Sequence, residues 1–336
     1  MMFERPETRD EGLRLLRESA RNGSPFALAR LSALYYTGDG GVKRDYAKAI
    51  KLMEAAASRG FPRFLLPLKE ARKAMQREDD LKKKDKPFTV LDTHAGSGVY
   101  SIDDERLLKT GECEIESFIK KAEEKADERQ MSILKDYISI VKKHLKDDKY
   151  PGSPLIESEL LREQDSQILS ELHPKAIEEL RENAKLFPKK PKIHFRDGYE
   201  MAISMTPPAT KRGVVVIDPS FEDASDFSSC SEAIAKIHKK WMGGTIALWY
   251  PLVPHRVMEI SMMKESIIAA VDSSEPKILE IELEVKDPAA MTELSSLYGS
   301  GMFIVNFPYK MDEEMEEAMP LLKECLGARS FSVTKR

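Results

Sequence analysis

Four consecutive residues, Asp218-Pro219-Ser220-Phe221, follow the apolar run Val214–Ile217 and carry residue types suited to one kind of chemistry. The lone pair of an adenine amino group is delocalised into the ring and is a poor nucleophile. A carboxylate and a fixed backbone carbonyl that accept its two N–H groups favour a pyramidal nitrogen and stabilise the charge that develops on it during methyl transfer. Asp218 and the Pro219 carbonyl have that capacity. Phe221 supplies a ring face on which a flipped-out base stacks, worth about 1–3 kcal/mol.

Three other segments end in comparable residues. FTVLDTHAGSGVY places Asp92 at the end of an apolar run, and Ala95-Gly96-Ser97-Gly98 behind it is small enough for a backbone loop to approach a ligand closely. Glu171 follows QILS, where a carboxylate can take both ribose hydroxyls of a nucleoside, although acids are also common at surface strand ends. Asp197-Gly198 follows KIHF, an arrangement that suits an adenine amino group and ring nitrogen and equally suits a plain turn. Each signal is weak alone. Together they occur in the order expected of an S-adenosylmethionine-dependent methyltransferase.

These residues need a scaffold that gathers strand ends. From Phe88 onward short β-branched runs (FTVLD, QILSEL, KIHF, GVVVID, TIALWY, KILEIELEV, MFIVNF) alternate with helical stretches, which predicts an α/β fold with a mostly parallel, Rossmann-like sheet. Val214–Ile217 reads as a strand buried on both faces, so Asp218 falls at its carboxyl end, where open α/β sheets bind ligands. The interval from Tyr100 to Gln167 is too long for a simple crossover, and its charged, helix-favouring stretch Glu112–Leu145 predicts a helical insertion over about residues 105–165 that covers the cleft. The last two runs suggest an antiparallel hairpin at one edge of the sheet. Lys189-Lys190-Pro191-Lys192 and Lys211-Arg212 are expected near the cleft rim, as phosphate contacts or as solvated loops.

Composition limits the partners. The 53 Lys+Arg and 57 Asp+Glu of the 336 residues leave a formal charge of −4, so any RNA contact is local rather than the work of a general basic field. Cys113, Cys230 and Cys325 are far apart with no zinc-ligand spacing, which argues against a metal or disulfide framework and for a reducing, cytoplasmic setting. The amino terminus is charged from its start, and no apolar run approaches the roughly 18 residues that span a bilayer.

The first part of the chain repeats. Arg14–Phe26 matches Lys51–Arg63 at an offset of 37 residues, with Leu15 over Leu52, Ala20 over Ala57, Gly23 over Gly60 and Pro25 over Pro62. Between them, Phe26–Tyr36 and Tyr46–Arg59 read as an antiparallel helix pair joined by the Gly-rich Thr37–Asp45. The expected organisation is residues 1–70 as helical repeat, 71–86 as a charged connection and 87–336 as the catalytic domain. So short an array either packs on its neighbour or binds a protein partner.

Residues 11–68 resemble the Sel-like repeat, a relative of the tetratricopeptide repeat. The segments KKKDKPFTVLDTHAGSGVY, YPGSPLI, LLREQDS, ELHP, RDGYE, KRGVVVIDPSFE, ALWYPLV and SGMFIVNFPYK, from Leu81 to about Pro320, resemble the RlmJ-like family of ribosomal RNA adenine-N6 methyltransferases. That resemblance implies a class I methyltransferase fold and S-adenosylmethionine as cofactor. It implies that His94, Ser153, Glu171, Asp197, Gly198 and Asp218 line the cofactor and adenine pockets and that Asp218 is catalytic; the residue types add Gly96 to the cofactor loop and Pro219 and Phe221 to the catalytic group. Two departures stand out: a His- and Tyr-bearing amino-terminal segment of the family is replaced here by the helical repeat, and the family's Asp-Pro-Pro-Tyr is Asp-Pro-Ser-Phe. The competing expectation is a methyltransferase-like scaffold that works through its repeat.

Overall fold

A computed structural model describes residues 6–37, 42–57, 86–104, 115–271, 277–288, 291 and 297–336. The chain divides into two compact units, Met1–Lys86 and Pro87–Arg336. The connection expected over 71–86 and the helix end expected at Gly60 lie outside the described residues, Lys86 apart.

The first unit is built from α1 (Pro6–Arg21), α2 (Pro25–Thr37) and α3 (Tyr46–Ala57). Gly23, at φ +83°, makes the left-handed turn between α1 and α2 that a side chain would strain. Asp45 caps α3 by accepting from the Lys48 amide at 2.9 Å. Leu13, Leu28, Leu31, Ala49 and Ala56 form its core. The small residues let α2 and α3 approach closely enough for the Ser32 hydroxyl to reach the Ala49 carbonyl at 2.6 Å.

The second unit contains β1 (Thr89–Asp92), β2 (Val99–Ser101), α4 (Ile115–Lys125), α5 (Glu128–Leu145), β3 (Lys149–Pro151), α6 (Ser153–Leu160), β4 (Ser166–Glu171), α7 (Pro174–Asn183), β5 (Lys192–Phe195), α8 (Gly198–Met205), β6 (Gly213–Ile217), α9 (Ser225–Lys240), β7 (Thr245–Leu252), α10 (Val257–Val271), β8 (Ile278–Glu284), β9 (Gly299–Val305), α11 (Met311–Leu326) and β10 (Ser330–Lys335). Eight strands form one sheet in the order β10-β8-β9-β7-β6-β1-β4-β5. β5, β4, β1, β6 and β7 run parallel, whereas β9 is antiparallel to both β7 and β8. Alternate residues feed opposite faces: Leu91, Val215, Ile217, Leu248 and Phe303 pack under α8, α9 and α10. On the other face Leu169 meets α6 and α7, and Ile304 meets α11.

Three expectations are corrected. The β8–β9 pair is antiparallel, but β9 lies inside the sheet and the edge belongs to β10, whose exposed Phe331 and Ser332 disguise it as a tail. Lys192 opens β5, and Lys211-Arg212 precede β6. Both basic stretches therefore sit at the amino edge of the sheet, opposite the strand ends that carry Glu171 and Asp218, and not at the cleft rim. The long interval after β1 is helical as expected, but it also forms a small sheet of β2 and β3, and its helices α4 and α5 bury Phe118, Ile119, Ile138 and Val141 against Leu321 and Cys325 of α11.

Candidate active site

The parallel strands bring the four strand-end segments to one edge. In the register, Asp92 stands opposite Leu169 of β4 and Val216 of β6, so Glu171 and Asp218 each lie two residues beyond it on either side. Two strand spacings separate them, about 10 Å. The turn after β1 is fastened across this edge: the Thr93 amide and hydroxyl both donate to the Val216 carbonyl (3.1 and 3.0 Å), and the Ala95 amide donates to the Ser170 carbonyl at 3.0 Å.

Asp92 is fully buried. Its carboxylate accepts from the Ser153 hydroxyl at 2.8 Å and from the His94 amide at 3.1 Å. Burial raises its pKa from 3.8 to about 6 against those two hydrogen bonds, with the nearby Glu171 charge adding to the rise. Ser153 is the first residue of α6, and Gly152 occupies the cap position. The serine hydroxyl therefore serves Asp92 and caps nothing, which decides between the two roles that YPGSP leaves open.

Glu171 ties the glycine turn to β4. One carboxylate oxygen accepts from the Gly96 amide and the other from the His173 amide, each at 2.7 Å. A carboxylate has about four acceptor positions, so two remain for paired hydroxyls. Gly96 and Gly98 have φ of +58° and +73°, and a Cβ on Gly98 would lie 2.9 Å from Leu180. Ser97 is held by its hydroxyl on Glu179 at 2.6 Å, and Asn183 donates to the carbonyls of Ser97 (2.8 Å) and Val99 (3.2 Å). Glu179 and Asn183 lie on the same face of α7, and nothing in their local sequence marks them as loop supports.

Asp197 caps α8 through the Glu200 amide at 2.8 Å, and its second oxygen makes no hydrogen bond among the described residues. Gly198 is packed so closely that a Cβ would stand 2.0 Å from the Thr93 carbonyl oxygen. The His94 imidazole lies edge-on to Tyr199 with ring centroids 5.1 Å apart, and burial holds its pKa down to about 4 despite the Glu171 and Asp197 charges. It is therefore a neutral acceptor or donor at neutral pH. Tyr199 in turn reaches the Cys230 sulfur of α9 at 3.4 Å, a link invisible in sequence.

After β6, Asp218 is exposed and Pro219 buried. Phe221 takes φ +54°, and its ring packs against Phe227 at 4.7 Å and Trp249 of β7 at 6.1 Å. The two free cysteines among the described residues, Cys230 and Cys325, are buried, and those residues contain no cluster of potential metal ligands.

Residues 85–335 match the protein-family model described as ribosomal RNA large subunit methyltransferase D, RlmJ. The chain belongs to the RlmJ methyltransferase family. Ribosomal RNA large subunit methyltransferase J of Escherichia coli (strain K12) is 36% identical over 252 residues, covering 73% of this chain and 84% of that protein. The Haemophilus influenzae protein of the same name is 32% identical over 263 residues, covering 76% and 89%. Among solved structures, protein LPL1258 from Legionella pneumophila aligns with a TM-score of 0.64 and 29% identity, covering 76% of this chain and 91% of that one. Residues 25–61 match the Sel1 repeat, a span that holds α2 and α3 and ends before the RlmJ match begins. The methyltransferase class and the S-adenosylmethionine donor follow from RlmJ membership.

Proposed function

We propose that the Pro87–Arg336 unit transfers a methyl group from S-adenosylmethionine to the N6 amino group of an adenine in ribosomal RNA, with Asp218 as the catalytic residue. The observation that carries this reading is the convergence of Glu171, Asp197, Gly198 and Asp218 on one sheet edge around the turn Thr93–Gly98. The site fits a nucleoside-bearing donor: Glu171 retains acceptor capacity for ribose hydroxyls, Asp197 offers an open oxygen to an adenine amino group, and Gly198 leaves no room for a side chain beside it. His94, Gly96 and Ser153 complete that pocket.

S-adenosylmethionine supplies an electrophilic methyl group on sulfonium sulfur. Asp218 and the Pro219 carbonyl accept the two N–H groups of the target amine, leaving its lone pair directed at the methyl carbon. Asp218 is exposed to take the proton the amine sheds as the C–N bond forms. Phe221, braced by Phe227 and Trp249, presents its ring to the extruded base. RNA is the macromolecular substrate, the Sel1-type unit offers a surface for a protein partner, and the reaction belongs in the cytoplasm. No helix among the described residues is long and apolar enough to cross a membrane.

Transfer of tritiated methyl from S-adenosylmethionine to protein-free ribosomal RNA tests the assignment. Wild type should label the RNA at N6 of adenine, and Asp218→Ala should lose at least about 100-fold in turnover, the range of general acid–base and electrostatic contributions. Labelling unaffected by the substitution removes Asp218 from the mechanism.

A further inference from the structure

Glu157 takes no part in the chemistry above, and its surroundings are unusual for an acid. It lies on α6 four residues after Ser153, so the two side chains leave the helix on one face. That face meets β1 and β4. Ser153 places its hydroxyl on Asp92 at 2.8 Å. Gln167 of β4, 2% exposed, donates one amide proton to the Pro154 carbonyl at 2.7 Å and one to the Glu157 carboxyl at 2.8 Å. The Gln167 Oε1 is left buried with no donor. No cation among the described residues pairs with Glu157. Buried amides are normally satisfied at both ends. Here the amide commits both protons to the first two turns of α6 and leaves its own oxygen unpaired.

We propose that Glu157 is a positioning residue for the methyl-donor pocket: with Gln167 it clamps the amino-terminal half of α6 to β4, and so holds the Ser153 hydroxyl on Asp92. The inference rests on the reading of Ser153 as a donor contact. Ser153 can present its free lone pairs to the donor only while its proton is committed to Asp92, and Asp92 can serve only while its carboxylate is anionic. A second anion beside Asp92 would push the two acids apart and open the clamp. Burial, then the Asp92 charge, hold the Glu157 carboxyl well above the usual carboxylate range, so an ionised Asp92 favours the protonated form of Glu157. The other groups facing the pair are Glu171 at the end of β4, which adds negative charge, and the His94 amide and Gln167, which donate to it.

The test uses the full chain and compares wild type with Glu157→Ala, Glu157→Met and Glu157→Gln, each first checked for an unchanged unfolding midpoint. Calorimetric binding of S-adenosylmethionine should weaken about tenfold in the Ala and Met variants, the equivalent of one lost hydrogen bond of about 1.4 kcal/mol. Turnover at saturating donor and RNA should stay within about threefold of wild type, since the positioning effect is overcome once the donor is bound. Glu157→Gln, uncharged and of the same shape, should bind as tightly as wild type at pH 7 and should lose the alkaline fall in affinity that wild type shows as Glu157 ionises. Unchanged affinity in both Ala and Met variants overturns the inference, as does a Gln variant as weak as Ala. Wild type that binds no S-adenosylmethionine overturns the donor-pocket reading itself, a result distinct from either.

Discussion

Replacing Asp92 by Asn should stabilise the fold while weakening donor binding. The folded chain holds the Asp92 pKa at about 6 against an ordinary value of 3.8, chiefly through burial. Between those values it keeps a proton that the unfolded chain has released, so this group's contribution to stability falls as pH rises from about 4 to 6 and the full penalty applies above about 6. At about 1.4 kcal/mol per tenfold in proton affinity, the penalty is about 3 kcal/mol at pH 7 and about 1 kcal/mol at pH 4.5. Asn carries no penalty but satisfies Ser153 and the His94 amide less well, a loss of about 1 kcal/mol. The net expectation is Asp92→Asn more stable by about 2 kcal/mol at pH 7 and equal to wild type near pH 4.5. His94 works in the opposite sense: its folded pKa of about 4 lies below 6.5, so its contribution is lost as pH falls through that window. Because both chains retain His94, it cancels in the difference. Urea unfolding of both proteins at pH 7 and 4.5 reads the two gaps directly. An Asn variant less stable at pH 7, or a gap that fails to shrink at pH 4.5, refutes the account of Asp92 as an anion held against its solvation.

Gly198→Ala drives a Cβ to within 2.0 Å of the Thr93 carbonyl and should abolish measurable S-adenosylmethionine binding by calorimetry while circular dichroism stays native. Gly301→Ala places a Cβ 2.1 Å from the Tyr250 ring, which crosses β9 to reach Glu282 at 2.9 Å; chemical denaturation should show a loss of about 1–3 kcal/mol, typical of overpacking. Phe221 sits at φ +54°, so Phe221→Gly should be more stable than Phe221→Ala by about 1 kcal/mol in urea unfolding, with both losing RNA affinity alike.

The parallel strands are legible because Val214–Ile217 is a continuous apolar run and its counterparts in β1, β4 and β5 are short β-branched segments, each followed closely by an acid. Their polarity also places Lys189–Lys192 and Lys211-Arg212 at the wrong edge for the cleft, a deduction that requires tracing each crossover rather than noting charge near a strand. β10 escapes because SFSVTK has little apolar content, and β2 and β3 because three residues are too few to show a period. Asp92, Glu171, Asp197 and Asp218 are visible as types at strand ends. What fixes them is not: Glu179, Asn183 and Tyr199 act on residues 31 to 86 positions away, and a contact over that distance leaves no local pattern.

The strand order gives one sheet edge room for the two substrates proposed above. From β1 the chain moves to β4 and β5 on one side, then returns to β6 and β7 on the other, so the connections leaving β1 and β6 diverge and open a crevice between them. The proposed donor ligands Glu171, Asp197 and Gly198 all belong to the β4–β5 side, whereas Asp218, Pro219 and Phe221 belong to the β6 side. The turn after β1 is bonded to both sides, through Thr93 to β6 and through Ala95 to β4. Donor and acceptor are thus assigned to opposite walls of a single crevice, and the Thr93–Ala95 hydrogen bonds set the distance between those walls. A change at Phe221 should therefore leave donor affinity intact, and a change at Glu171 should leave the binding of the target base intact.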